Sequence, residues 1–535
     1  MRRWFVNGRV FTGQSETDLA NAFAVRAGRF DWVGDLDDAP DGAVDLRGRT
    51  VIPGLLDVHT HPNLVSLVAG AVPCTIPGVR DIPGMIDALR RHPDFGRGPT
   101  DWILGFGYDE SKLAEGRTPT AEDLDRVSTT QPVHVLRSDC HSGICNTRAL
   151  ELAGITRETP DPEGARIGRH GNGEPNGILE ELGANDLVMR ARSSRGMDER
   201  VRSIAALGAH YLERGTVAIA EMMADPVSDL EVYRRAAAEG LTPQVALYLL
   251  WPGVAGAPLR ELADADRTGR VRVAGVKLFA DGTISGRTAW TSRPYRTGGE
   301  GYSTLAEADL AAATAWARRN GVQVAVHAMG DRAIGRVIDY FAPMEPWLGD
   351  AFPSVRIEHA SLVSAEHLSR IRAARMTFGI ATQPIFLFAE QEAYAANLAP
   401  EVLRDAYPIR TCYDAVGPLA LSADAPCTTW ADPDDVFVSI RAAVTRRAYN
   451  GADIGTGEAI TVPQALLLYT ARAARVAPFE GGLGRIAAGG EASFVVLDRD
   501  VFSIDPAELD RTVVAETWLA GSLAYSRAPS GTAGT

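Results

Sequence analysis

Apolar and polar positions follow two different patterns along this chain. At both ends the apolar runs are short and broken by turn residues. Trp4-Phe5-Val6 meets Asn7-Gly8, a hairpin signal, and further short runs follow at 10–11, 22–25 and 30–33. Runs at 493–497, 516–519 and 521–525 answer them at the far end. Neither end carries enough apolar residues for a core of its own, so one β-sandwich built from both termini is expected. The middle differs. Runs at 51–57, 216–221, 243–249, 271–279, 322–327, 355–359, 377–382 and 419–422 are nearly continuously apolar, as strands buried on both faces require. Helical patterns separate them. Thr304-Leu305-Ala306-Glu307 reads as a capping box opening an Ala-rich helix to about Arg319, and 331–341 and 365–374 read as helices too. Strand and helix alternating through eight units predict an α/β fold, a (β/α)8 barrel of the TIM type.

The spacing of these runs supports that fold. Most neighbouring strands recur at about 30 residues, the length of one barrel unit. The first and second strands are separated by far more, which implies an insertion of roughly 120 residues, rich in Pro and Gly turns, over the barrel's active face. The expected organisation is a composite β-sandwich from 1–50 and 483–527, a catalytic barrel from 51–64 and 191–482, an inserted subdomain at 65–190, and a disordered tail at 528–535.

Composition narrows the class without naming it. With 535 residues, 45% hydrophobic and 23% charged, the chain is an ordinary globular protein of more than one domain. A net charge of −14 argues against nucleic acid or an anionic membrane as partner. No run approaches the ~18 apolar residues of a membrane helix, and the start lacks an apolar secretory segment. Five Cys, with no Cys-x-x-Cys, suit reduced thiols in a cytoplasm.

Chemistry concentrates where the apolar runs end. The first run closes on Asp57-Val58-His59-Thr60-His61. Alternation along a strand points His59 and His61 the same way, and two imidazoles so placed suit zinc or its first-row neighbours. Lys277 lies in the fourth run, His327 ends the fifth, His359 ends the sixth, and Asp424 follows the eighth. In a barrel of this type functional groups sit at the C-terminal strand ends. Each has a competing structural role. His327 and His359 alone suit a satisfied core, Lys277 suits an amine paired with Asp281 or Glu221, and Asp424 suits a cap of the Asp-Ala-Pro turn.

Together PGLLDVHTHPN, VKLFADGTISGRTAW, VAVHAMGDRAI, RIEHASL and LSADAPCTTWADP resemble the amidohydrolase superfamily, specifically its YtcJ-like branch, which includes the N-substituted formamide deformylases. The resemblance covers nearly the whole chain, and it implies roles. His59 and His61 would bind the more buried metal and His327 and His359 the second. Lys277, carboxylated on its amine, would bridge the two. Asp424 would ligate the first and move protons. An apolar strand favours the neutral amine that carboxylation needs. The implied cofactor is a divalent metal, two zinc ions per chain, with one the alternative.

The implied activity is hydrolysis of a non-peptide carbon–nitrogen bond in a small N-substituted amide or formamide. A cyclic amide, a carbamate or an ester is the alternative, and an inactive scaffold barrel the rival class. His141, in Asp-Cys-His-Ser of the insertion, is the first substrate-contact candidate, followed by Asp281, Trp290 and Glu221; Phe386 and Phe388 are candidates for an apolar wall. Asp331 reads as an N-cap, and Glu358, next to His359, is read as structural because alternation turns it to the opposite face. The expected partners are a small-molecule amide and further copies of the chain, a homo-oligomer with a dimer first, in the cytoplasm.

Overall fold

Eight parallel strands, hydrogen-bonded in sequence order, form the central sheet of the computed structural model, which describes residues 2–76, 78–162, 165–192, 196–251, 258–430 and 432–527. The strands are β1 (Leu55–Thr60), β2 (Thr216–Ala224), β3 (Gln244–Leu250), β4 (Val271–Phe279), β5 (Gln323–Ala328), β6 (Val355–His359), β7 (Phe378–Thr382) and β8 (Leu419–Leu421). Every residue of β1, β5, β6, β7 and β8 is buried. That is why these segments read as unbroken apolar runs. The sheet curls until β8 lies beside β1, where the Ala423 N–H donates to Asp57 Oδ1 at 3.2 Å. The protein is thus a (β/α)8 barrel.

Helices follow the strands. Asp331–Phe341 buries Ala333, Ile334, Val337, Ile338 and Phe341, one stripe at helical spacing. Ala365–Ala373 opens on a capping box made by Ser364 and His367. The box expected at Thr304 does not form. The Thr304 hydroxyl donates to Phe279 O at 2.8 Å and ties its loop to the end of β4, so the helix starts later, at Glu307–Asn320.

The first apolar run is two strands rather than one. Thr50–Pro53 pairs with Phe494–Leu497 and Arg9–Phe11 in a six-stranded sheet made from both chain ends, and only Leu55–Thr60 enters the barrel. A second, four-stranded sheet holds Arg3–Val6. The two sheets share a core in which Phe5 stacks on Phe23 at 4.8 Å and Phe494 on Trp518 at 5.4 Å. Asn7-Gly8 does turn the chain, with Asn7 at φ 56°, but it makes no hairpin. The strands on either side of it belong to different sheets, because the sandwich core takes one face from each.

By internal packing the chain divides into two compact units. The first, 1–62 with 201–423 and 434–535, holds the barrel and the terminal sheets. The second is 63–200 with 424–433. Its six-stranded sheet contains Ile103–Tyr108, Val133–Arg137 and Gly143–Cys145, packed around Met85, Leu89, Ile103 and Val133 on one side and Leu150, Ile167 and Leu179 on the other. No described helix is long and apolar enough to cross a membrane. The tail at 528–535 lies outside the described residues.

Gly54, between the sandwich strand and β1, tests the join. A Cβ there would stand 2.6 and 2.7 Å from the two methyls of Val217 on β2. Gly54→Ala is expected to destabilise the fold by about 1–3 kcal/mol through overpacking. Denaturant unfolding checks this, and an unshifted midpoint would contradict the close approach of Gly54 to Val217.

Candidate metal centre

The end of β1 carries His59 and His61, their rings 5.5 Å apart. The neighbouring strand ends bring the other imidazoles to them. The His359 ring lies 4.9 Å from His59 and 4.4 Å from His327. Ring nitrogens of His59 and His359 come within 4.8 Å of each other. His59, His327 and His359 are all at least 95% buried.

Outer partners fix these rings. His59 Nδ1 meets Glu358 Oε2 at 2.6 Å, and a carboxylate can only accept, so the proton sits on Nδ1 and the lone pair on Nε2. His359 Nδ1 donates to Gln383 Oε1 at 2.9 Å, while Gln383 Nε2 donates to Ser422 Oγ. His327 Nε2 donates to the Gly282 carbonyl at 2.9 Å, which puts its lone pair on Nδ1. His61 Nδ1 stands 3.6 Å from Glu221 Oε1. Imidazoles whose second nitrogen is held by a carboxylate, carboxamide or carbonyl are the pattern of metal-ligating histidine. As a donor set, neutral imidazoles with defined tautomers fit a first-row divalent cation.

Lys277 is buried in β4, in register with Ala325 of β5. Its Nζ lies 5.2 Å from the Phe279 ring, and that same ring lies 5.3 Å from His327. The amine and the imidazole thus flank one aromatic side chain.

Glu358 corrects the strand-alternation reading. It is in register with His327 and bonds His59, so it faces the candidate centre. His359 faces it as well because its φ is 70°, outside the extended range, and the alternation breaks there. Burial pushes the Glu358 carboxyl up, but the Arg356 guanidinium and the His59 hydrogen bond outweigh it and hold the pKa at about 2.

Other candidates also find specific places. Glu221 is fully buried and accepts from Met223 N and Tyr233 Oη, so both oxygens are engaged beside His61. Asp281 accepts backbone N–H groups from Trp290, Met329 and Gly330, pinning the long loop after β4 to the end of β5. Burial raises its pKa to about 7 against those three donors. The Trp290 ring faces the Arg332 guanidinium at 5.9 Å. Asp331 is not the N-cap, which is Gly330; it binds the Ser292 N–H at 2.8 Å. Phe386 lies 6.1 Å from the His359 ring, whereas Phe388 packs on Tyr449 and Arg441. Histidines without evident sequence partners prove to have structural ones: His134 bonds Asn185 and His210 bonds Asp434.

In the second unit, His141 Nδ1 lies 3.1 Å from Glu181 Oε2, and its N–H donates to Asp139 Oδ1 at 3.0 Å. Asp139 is held in turn by Arg137 at 2.7 Å. Asp424 follows the end of β8 at φ 53°, nine-tenths buried, and its carbonyl accepts from Cys427 N.

Burial opposes a charge on His141, but Glu181, Asp139 and Asp424 outweigh it and raise its pKa. A raised folded pKa contributes stability that is complete below the unfolded value of ~6.5 and is lost as pH rises through the folded value. In metal-free protein the His141 ring proton, assigned with His141→Gln, is expected to titrate by NMR above pH ~6.5. A lower midpoint would contradict this environment.

Comparison with known proteins agrees with this geometry. The model of the amidohydrolase family matches residues 42–525. The N-substituted formamide deformylase of Arthrobacter pascens is 29% identical over 98% of each chain. YtcJ of Bacillus subtilis (strain 168) is 29% identical over 90% of each. The crystal structure of an uncharacterized metal-dependent hydrolase from Pyrococcus horikoshii OT3 matches with a TM-score of 0.73 at 25% identity, over 95% of this chain and 99% of that one. With a family match across most of its length and imidazoles converging at its barrel strand ends, this chain belongs to the amidohydrolase family and is a hydrolase.

Proposed function

We propose that the protein hydrolyses a non-peptide carbon–nitrogen bond in a small N-substituted amide or formamide. The observation that carries the reading is the set of His59, His327 and His359, each with its tautomer fixed by an outer partner. The similarity to a formamide deformylase supports the substrate class. His59, His61, Lys277, His327, His359 and Asp424 would hold a divalent metal, zinc first and two ions per chain, with Lys277 carboxylated as the bridge. Such a centre supplies a water of lowered pKa and polarises the amide carbonyl.

The protein's own groups supply the rest. Asp424, three residues past β8, takes the proton of the attacking water and returns it to the departing nitrogen. The residue before it, Ala423, donates its N–H to Asp57 and ties β8 to β1. Phe386, packed beside His359, offers an apolar wall that excludes water from the carbonyl.

A panel of formamides, acetamides, cyclic amides and esters tests the reading on metal-loaded protein. Turnover is expected first on N-substituted formamides or amides, and turnover of esters alone would overturn it. Asp424→Asn is expected to lower kcat by roughly 10²–10⁴-fold. Full metal content with most turnover retained would remove Asp424 from proton transfer. Lys277→Ala is expected to lose activity that short-chain carboxylic acids partly restore by standing in for the carbamate. Failure of that rescue would count against carboxylation.

A further inference from the structure

The lumen of a (β/α)8 barrel is ordinarily filled by layers of branched apolar side chains. Here it holds an ion pair. Arg356 and Glu358 on β6 are both fully buried, and they meet in a two-point contact: Arg356 Nε lies 2.8 Å from Glu358 Oε1 and Nη2 lies 3.0 Å from Oε2. The guanidinium is held from below as well. Its Nη1 donates to Tyr248 Oη at 2.6 Å, and Tyr248 donates to Gln323, whose amide is fastened to Pro353 O and Val476 O. A polar column thus runs through the lumen and ends at His59.

Stability does not account for such a pair. Desolvating two charges costs about what their attraction returns, and apolar replacements of similar volume are often neutral or stabilising by about 1–4 kcal/mol. Its contacts show a different use. Glu358 Oε2 accepts a hydrogen bond from His59 Nδ1 at 2.6 Å, while Arg356 Nη2 donates at 2.8 Å to the carbonyl of Val58, the residue before His59. The pair therefore holds His59 by both its ring and its backbone.

We propose that the Arg356–Glu358 pair is the positioning element of the metal centre: Glu358 fixes the His59 ring with Nε2 toward the metal, and Arg356 keeps that carboxylate on His59 instead of on the metal. Both are fully buried and act through His59 and the carbonyl of Val58, so both are positioning residues. The inference rests on the metal-centre reading above. It also extends the set of functional residues downward into the lumen, beyond the six proposed ligands.

Three proteins test it: wild type, Glu358→Gln, and the double variant Arg356→Met with Glu358→Leu. The double variant removes both members of the pair together, so neither is left as an unpaired buried charge. Metal affinity is read by chelator competition, the ligand field by the visible spectrum of the cobalt-substituted protein, and the fold by thermal unfolding without metal. Glu358→Gln is expected to weaken metal binding by about 10–100-fold and to alter the cobalt spectrum. The double variant is expected to unfold near the metal-free wild-type temperature and to lose at least as much affinity. Wild-type affinity and spectrum in either variant would overturn the proposal, and Glu358→Gln alone decides it should the double variant not fold. A wild-type protein that takes up no metal would instead overturn the metal-centre reading on which this rests.

Discussion

Closure of the eight-stranded parallel sheet is the constraint on which the rest depends. It sets β8 against β1 and brings the end of β1 to the ends of β5 and β6, so that side chains 299 residues apart, His59 and Glu358, share a hydrogen bond. No local element could do this. Buried apolar strands hold the closure, and among the described residues the imidazoles sit at strand ends while one polar column runs through the lumen. Functional chemistry on such a scaffold is decided by which few positions break the apolar pattern.

Those positions are supported at some expense in desolvation. The imidazoles of His59, His327 and His359 each rest on a different kind of acceptor: a carboxylate paired with arginine, a backbone carbonyl, and a carboxamide tied to a serine. The acceptors come from β6, from the loop after β4 and from just past β7. Ring orientation therefore depends on several barrel elements at once, which gives rigid placement rather than loop-borne placement. Asp281 performs the same service for a loop, spending its oxygens on three backbone amides.

Much of the barrel was legible in the sequence because strands buried on both faces must be apolar, and because a histidine closing an apolar run stands out. His59, His327 and His359 carry that mark. Glu358 did not, since its reading assumed that alternation continues through His359, and the positive φ there is a backbone choice that the side chains do not announce. The split of the first run at Gly54 was hidden for a related reason: sandwich and barrel strands are both apolar, so only pairing partners distinguish them. Thr304 carried a sound capping signal that a tertiary bond to Phe279 O displaced. Glu221 was legible as a strand-end carboxylate, but its engagement by Tyr233 and Met223 was not, because both partners follow from how the chain turns after β2.

These imidazoles are proposed to hold metal. Elemental analysis of protein purified without chelators tests it most directly. About two zinc-like ions per chain are expected, the content of a bridged centre. A chain that holds none, even after reconstitution with zinc, manganese, nickel and iron, would contradict it.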